Sequence, residues 1–248
     1  MLKCRPLEGV AAHLFTTRAR RLSSADDWHR VGDLLGVADV VTSNQVHGRE
    51  VAMSRRGSPR APARQDADVL ISDDPETAIA VRVADCVPLL LADARTGAVA
   101  AVHAGWRGTA AGAATAAVHA LAREFGARPE DLVAAIGPSI GACCYEVGTE
   151  LVDAFAAAGH PRHLIDRWFV SPPERRGSFR PALSGVEGPG LRLDLTTANR
   201  DLLVLAGVPE AQIHACGVCT AMHIEILTSF RAEKDQAGRM AGVIRARS

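Results

Sequence analysis

Ala78-Ile79-Ala80-Val81-Arg82-Val83-Ala84-Asp85-Cys86-Val87-Pro88-Leu89-Leu90-Leu91-Ala92-Asp93-Ala94-Arg95-Thr96-Gly97-Ala98-Val99-Ala100-Ala101-Val102-His103 is the stretch that decides how this chain folds. It holds three apolar runs, Ala78 to Ala84, Val87 to Asp93 and Ala98 to His103. Short apolar runs bounded by turn residues read as buried strands. Asp85-Cys86 joins the first two, and Ala94-Arg95-Thr96-Gly97 joins the last two. Parallel neighbours need a long crossover, so linkers this short predict three antiparallel neighbours. Beyond His103 the turn Ala104-Gly105-Trp106-Arg107-Gly108 opens an alanine-rich helix, Arg107 to Phe125, closed by Gly126 with Pro129 beyond. A histidine at a strand end is held rigidly, and a helix start offers free N–H groups to an anion. His103 is therefore the first candidate for chemistry.

Outward from this centre, Val10 to Thr17 reads as a first strand and Trp28 to Leu35 as a helix, with Trp28, Val31, Leu34 and Leu35 on one face and Gly36 at its end. Val40-Val41-Thr42 is β-like and leads into Ser43-Asn44-Gln45-Val46-His47-Gly48, a second histidine just past a strand. Arg55 to Gln65 reads as an exposed loop. Asp66-Ala67-Asp68 places two acids before a short strand. Leu132 to Ile136 is a strand and Thr149 to Ala158 a helix. Asp194 caps a helix running to Ala206, Ile213 opens a strand, and Met240 to Arg245 is the last strand. Ser171 to Gly190, rich in Pro, Gly, Arg and Ser without apolar period, reads as a flexible insertion at 171-190. Clustered strands with few helices between them predict an α+β fold, a single domain over 1-248.

With 48% hydrophobic and 23% charged residues, disordered and fibrous classes are excluded. The 28 basic and 28 acidic residues cancel, so no basic surplus meets phosphates and no nucleic-acid partner is expected. No apolar run approaches the ~20 residues of a membrane span. Glu8 and His13 interrupt any signal-peptide core, so a cytoplasmic protein is expected, with no membrane and no obligatory protein partner. Six cysteines in that compartment read as reduced thiols rather than a disulfide frame.

His47, Cys86 and His103 each stand at a strand end. Two imidazoles and a thiolate suit zinc or copper, and three ligands leave a fourth position open, as in catalytic sites. The same residues also suit a thiolate–imidazolium pair without metal, with Asp85 or the second histidine orienting the base. Spacing alone does not separate these uses, nor either from turn histidines beside a small buried cysteine. Cys216-Gly217-Val218-Cys219 has redox or metal spacing, but no second such pair completes a zinc site, so it reads as packing, as do adjacent Cys143 and Cys144. Arg107, in the first turn of the alanine-rich helix, suits an oxyanion such as phosphate; Arg18, Arg231 and Arg239 are further cationic candidates.

Taken together the motifs resemble the YfiH-like, or laccase-domain (polyphenol oxidase), family of purine nucleoside phosphorylases. The resemblance is carried by Asn44-Gln45-Val46-His47-Gly48, Asp66-Ala67-Asp68, Ala84-Asp85-Cys86-Val87-Pro88, His103-Ala104-Gly105-Trp106-Arg107-Gly108, Gly137-Pro138-Ser139-Ile140-Gly141 and Tyr145-Glu146-Val147-Gly148. It continues through Asp194-Leu195, Asn199-Arg200, Cys219-Thr220, Ser229-Phe230-Arg231 and Gly238-Arg239, nearly end to end. It implies a single domain of mixed, largely antiparallel sheets flanked by helices, layered α/β/β/α. It also implies a zinc, or copper, on His47, Cys86 and His103, and phosphorolysis of adenosine, inosine, guanosine and methylthioadenosine to base and ribose 1-phosphate, with adenosine deamination. Asp85 is then expected to protonate the leaving base or orient a ligand histidine, or else merely to cap a turn, while Arg107, Arg231 and Asn44 bind substrate and phosphate. Copper-dependent polyphenol oxidation, a metal-independent Cys/His hydrolase and a non-enzymatic metal binder are the alternatives. The chain departs from the family after Arg18, where Ala19-Arg20-Arg21-Leu22-Ser23 replaces a glycine-rich turn, and at the 171-190 insertion.

Overall fold

Two main sheets and a two-stranded ribbon make up the β-structure of the protein in a computed structural model, which describes residues 1–20, 22–58, 65–171 and 190–247. The expected insertion therefore falls almost wholly outside the described residues, as does the middle of the Arg55–Gln65 loop. The strands in chain order are β1 (Ala12–Phe15), β2 (Asp39–Thr42), β3 (Val51–Ser54), β4 (Val69–Ser72), β5 (Thr77–Val83) and β6 (Val87–Asp93). They continue as β7 (Val99–Ala104), β8 (Leu132–Ile136), β9 (Phe169–Val170), β10 (Arg192–Leu193), β11 (Ile213–Ala215) and β12 (Met240–Arg245). One sheet has the order β1-β12-β5-β2, the other β11-β8-β6-β7-β4-β3, and β9 with β10 forms the ribbon. Among the strands of the described residues only β2–β5, β3–β4 and β8–β11 pair in parallel, so the sheets are mixed and largely antiparallel.

Successive side chains of a strand point to opposite faces, and this parity sorts the core into layers. Leu89 and Leu91 of β6, with Ala100 and Val102 of β7, pack on helices α4 (Ala113–Phe125) and α7 (Leu195–Leu205) through Ala117, Leu121, Leu202 and Leu203. Leu90 and Ala92 of β6, with Val99 and Ala101 of β7, face the other way, onto Ile79, Val81 and Ile244 of the first sheet. That sheet's outer face, through Ala78, Ala80 and Val243, covers Val31 and Leu35 beside helix α2 (Ala25–Asp33). The result is four layers: helix, sheet, sheet, helix. Central strands covered on both faces have no polar side, which is why β6 and β7 read as unbroken apolar runs.

Two local expectations are corrected. β6 and β7 are antiparallel neighbours, with Leu89 opposite Val102, but β5 does not pair with β6. After Val83 the chain leaves the four-stranded sheet, turns at Asp85 with φ of 84°, and enters the six-stranded one. Asp85-Cys86 is thus a crossing between sheets, not a hairpin. The alanine-rich helix is also divided: Gly112, in the left-handed conformation, separates α3 (Trp106–Ala111) from α4, and Gly126 ends α4 in the same conformation.

The caps follow sequence chemistry. Ser24 and Asp27 close a reciprocal capping box on α2, and the Asp194 carboxylate accepts the Thr197 N–H at the start of α7. Further helices are α1 (Arg5–Glu8), α5 (Glu150–Ala157), α6 (Arg162–Trp168) and α8 (Phe230–Glu233). Helix α6 is not among the sequence expectations. Its signal was present, Pro161 just ahead and Leu164, Ile165 and Trp168 at helical spacing. No helix among the described residues is long and apolar enough to cross a membrane.

Candidate metal centre

His103 lies on β7 with the parity of Val99 and Ala101, so its ring points between the two sheets at their open end. Cys86 reaches the same place from the crossing between sheets. His47 follows β2 in the loop that leaves the four-stranded sheet, with φ of 63°. One ligand atom from each of the three lies within 4.8 Å of the others. The two imidazoles meet edge to face, with centroids 4.8 Å apart. These three residues could hold a metal ion, and their donor set fits one.

Asp68 organises this cluster; in the sequence it stands as one of two acids before a strand and within the resemblance motif Asp66-Ala67-Asp68, with no role assigned. It is fully buried. Its Oδ1 accepts from His103 Nδ1–H at 2.7 Å and from His47 N–H at 3.0 Å. Its Oδ2 accepts the N–H groups of Val46 at 3.1 Å and Gly48 at 2.7 Å. One carboxylate therefore fixes the His103 tautomer, leaving Nε2 for the centre, and holds the strained His47 loop in place. The pairing of β4 with β7, Val69 opposite Val102, brings Asp68 there.

The electrostatics agree. Burial opposes charge on His103, but Asp68 and the Cys86 thiol outweigh it and lift the imidazole to about 9. Burial likewise opposes a Cys86 thiolate, yet His103 and His47 bring the thiol down to about 7. The two shifts together favour a Cys86 thiolate beside a His103 imidazolium backed by Asp68. The same thiolate character suits metal ligation.

Gly105 is required for space. Its φ of −72° and ψ of 179° suit any residue, but a Cβ there would lie 2.8 Å from Cys86 Sγ and 3.3 Å from His47 Cδ2. Gly105→Ala is expected to fold and to weaken metal binding by about tenfold, equivalent to roughly 1.4 kcal/mol of ligand displacement. Equilibrium dialysis against a metal buffer checks this, and an unchanged affinity would mean the ligands move at no cost.

Asp85 is buried, and both its oxygens are used. Oδ1 accepts from Thr220 Oγ1 at 2.6 Å, and Oδ2 accepts the Arg231 backbone N–H at 2.6 Å. The carboxylate hydrogen-bonded to His103 is thus that of Asp68; orienting a histidine had been one of the roles expected of Asp85. Asp85 instead ties the Thr220 and Arg231 segments to the residue next to Cys86. The Arg231 guanidinium lies 5.0 Å over the Tyr145 ring and donates to the Glu146 carbonyl at 2.8 Å. Tyr145 is the other residue missed as a site member. Burial, then the negative Cys86 and Asp85, push its phenol up to about 12, so it keeps its proton at neutral pH. Its sequence signal was the motif Tyr145-Glu146-Val147-Gly148 alone.

Arg107 is exposed, its guanidinium 4.4 Å over the Trp106 ring. Asn44 is also exposed and donates to Asp66 Oδ1 at 2.6 Å. A cavity of about 570 Å³ opens among Arg18, Arg20, Thr228, Gly238 and Arg239. Arg239 precedes Met240, which pairs with Val83, three residues before Cys86, so this cationic space adjoins the same end of the sheets. The Arg18 guanidinium is paired with Glu233.

Two face-to-face sheets between helices, with a two-histidine, one-cysteine cluster at the open end of their interface, define an α+β protein with a group of side chains that could hold a metal ion. Its sequence carries the pattern described as multi-copper polyphenol oxidoreductase laccase over residues 15–247, and the chain belongs to that family. It is 35% identical over 188 residues to a purine nucleoside phosphorylase of Bacteroides thetaiotaomicron, across 76% of this chain and 64% of that protein, just under two thirds of its length. It is 34% identical over 252 residues to a purine nucleoside phosphorylase of Deinococcus radiodurans, across 94% and 88% of the two chains. Adenosine deaminase RL5, from an unknown prokaryotic organism, is 33% identical over 214 residues, across 84% and 75%. The structure of the Bacillus licheniformis hypothetical protein YfiH superposes with a TM-score of 0.80 at 28% identity, covering 95% of this chain and 92% of that one. The family and fold expected from the motifs are those found.

Proposed function

We propose that this protein is a purine nucleoside phosphorylase, converting adenosine, inosine, guanosine or methylthioadenosine and phosphate to free base and ribose 1-phosphate, and that it also deaminates adenosine. The observation that carries the reading is the convergence of His47, Cys86 and His103 on one point, with Asp68 behind them, in a chain similar to proteins named for these two activities. We assign zinc to the three ligands. A bound zinc would supply Lewis acidity and bring water toward ionisation at neutral pH.

The chain's own groups do the remaining work. Asp68 keeps the proton on His103 Nδ1, so Nε2 stays a lone-pair donor toward the centre. Asp85, whose two oxygens are taken up by the Thr220 hydroxyl and the Arg231 N–H, acts as a positioning residue for these two segments, not as the acid for the departing purine. Tyr145 stays protonated and is the hydroxyl that can donate a hydrogen bond to the base. Arg107 and Arg231 are the phosphate candidates. Replacing either by alanine is expected to raise the Michaelis constant for phosphate about tenfold or more, the loss of one hydrogen bond to a charged group. A residue whose replacement leaves that constant unchanged has no part in phosphate binding.

The test is direct. Purified, metal-analysed protein is incubated with adenosine, with and without phosphate, and the purines are resolved. Phosphate-dependent adenine marks phosphorolysis, and phosphate-independent inosine marks deamination; absence of both overturns the proposal. A second reading rests on the aligned Asp68, His103 and Cys86, which suit a metal-independent thiol hydrolase. It predicts activity that survives chelation and dies with a thiol alkylator. Copper-dependent polyphenol oxidation rests on the family description alone and predicts oxygen uptake with a phenolic substrate after copper loading.

A further inference from the structure

Three other cysteines converge away from His47, Cys86 and His103. Cys143 and Cys144 sit in the turn after β8, where the N–H groups of Cys144 and Tyr145 both reach the Gly141 carbonyl, at 2.9 and 3.0 Å. In an extended strand their side chains would diverge, but this turn aims both to one side. Cys219 comes from the segment after β11, which bridges in parallel to Ser139. One sulfur from each lies within 4.8 Å of the other two, and all three are free thiols. The Cys216–Cys219 pair is not a unit: Cys216 is exposed, while Cys219 is buried and joins this cluster.

The surroundings are arranged around sulfur. The Gly141 N–H donates to Cys219 Sγ at 3.3 Å, and a Cβ on Gly141 would meet Cys143 Sγ at 3.3 Å and Cys219 Cβ at 3.4 Å. Arg192 donates to the Ala142 and Cys143 carbonyls, placing a fixed positive charge beside groups that would become negative. Sulfurs about 2.3 Å from one zinc stand roughly 3.8–4.0 Å apart, inside the spacing found.

We propose that Cys143, Cys144 and Cys219 form a second metal site, a three-thiolate centre for a soft cation of the zinc or copper(I) type. Binding replaces the three thiol protons, which leave to solvent, and involves no redox step. Because Cys143 is exposed, the fourth position opens to water or an external ligand. The bound ion would pin the turn carrying Tyr145 to the segment carrying Thr220, whose hydroxyl holds Asp85 beside Cys86. It is a brace behind the first centre, and it stands whether or not that centre acts on nucleosides.

Reduced, metal-loaded protein is analysed by native mass spectrometry and by iodoacetamide labelling resolved by peptide. Wild type is expected to hold two equivalents of metal. A His47→Ala, His103→Ala double variant should hold one, as should Cys143→Ser, Cys219→Ser. Serine variants can fail to fold, so the labelling is done on wild type: metal slows alkylation of Cys143, Cys144 and Cys219 by about tenfold or more, since a bound thiolate is no longer a free nucleophile, and leaves Cys216 unchanged. Parallel zinc and anaerobic copper(I) titrations identify the cation. Folded His47→Ala, His103→Ala protein that holds no metal, labelling of the three that ignores metal, or a disulfide joining Cys219 to Cys143 or Cys144 in protein kept reduced overturns the proposal.

Discussion

Cys86→Ala protein is expected to fold normally, to lose the metal of the His47–Cys86–His103 centre, and to lose nucleoside turnover by far more than the roughly 10–100-fold that follows loss of a partner hydrogen-bonded to a ligand. Cysteine to alanine removes one sulfur from a partly buried position and leaves the Asp68–His103 bond intact. Stability should therefore change little while one of three ligands is gone. His103→Ala should abolish the same activity but is the less clean experiment. It strands the fully buried Asp68 without its imidazole partner, which costs about 3–5 kcal/mol when a buried charge loses its mate. Circular dichroism, metal content by mass spectrometry and the adenosine assay on one preparation separate the two effects. Full metal and full turnover in folded Cys86→Ala protein would remove the three-ligand assignment.

Asp68→Asn is the second large effect, and a near-isosteric one. All four hydrogen bonds recorded at Asp68 are acceptances, two at each oxygen. An amide offers one accepting oxygen and one donating nitrogen, so whichever way it turns, donor faces donor on one side. If the nitrogen faces His103, the ring loses the contact that fixes its tautomer. If it faces Val46 and Gly48, the left-handed His47 is released. Either way metal affinity is expected to fall roughly 10–100-fold, with a smaller fall in melting temperature. Activity at saturating metal should recover in part. A loss of turnover that excess metal does not relieve would place Asp68 in the chemistry rather than behind the ligand.

The sequence made His47, Cys86 and His103 candidates by a local signal, a ligating side chain just past an apolar run, and the family resemblance joined them into one centre. Asp68 carried no such mark. Its role depends on β4 pairing with β7, more than thirty residues away in sequence, and no window of residues contains that register. The placement of β5 was misread for a related reason. Two apolar runs joined by a short link look like a hairpin, and nothing in Ala84-Asp85-Cys86 announces that Asp85 adopts a positive φ and sends the chain to another sheet. The four-layer arrangement was legible only through the family, whereas the α+β class followed from strand clustering. Arg107 and Asn44 stand close in sequence to His103 and His47, but their side chains turn to Trp106 and Asp66. Side-chain direction on a loop is fixed by neighbours the loop itself does not name.

The position of β12 bears on the order in which the molecule assembles. Met240–Arg245 lies between β1 and β5, so β1 cannot join the β5–β2 pair until residue 245 has been made. The ligands straddle this delayed sheet and its partner: His47 follows β2, Cys86 stands between the sheets, and His103 ends β7. During synthesis the six-stranded layer can form its inner strands early, with Cys86 and His103 already near each other, while the β2–β5 pair that leads to His47 still lacks β12 and β1. Closure of the centre then follows docking of the two sheets, and capture of a metal-quenched fluorophore during refolding would time it.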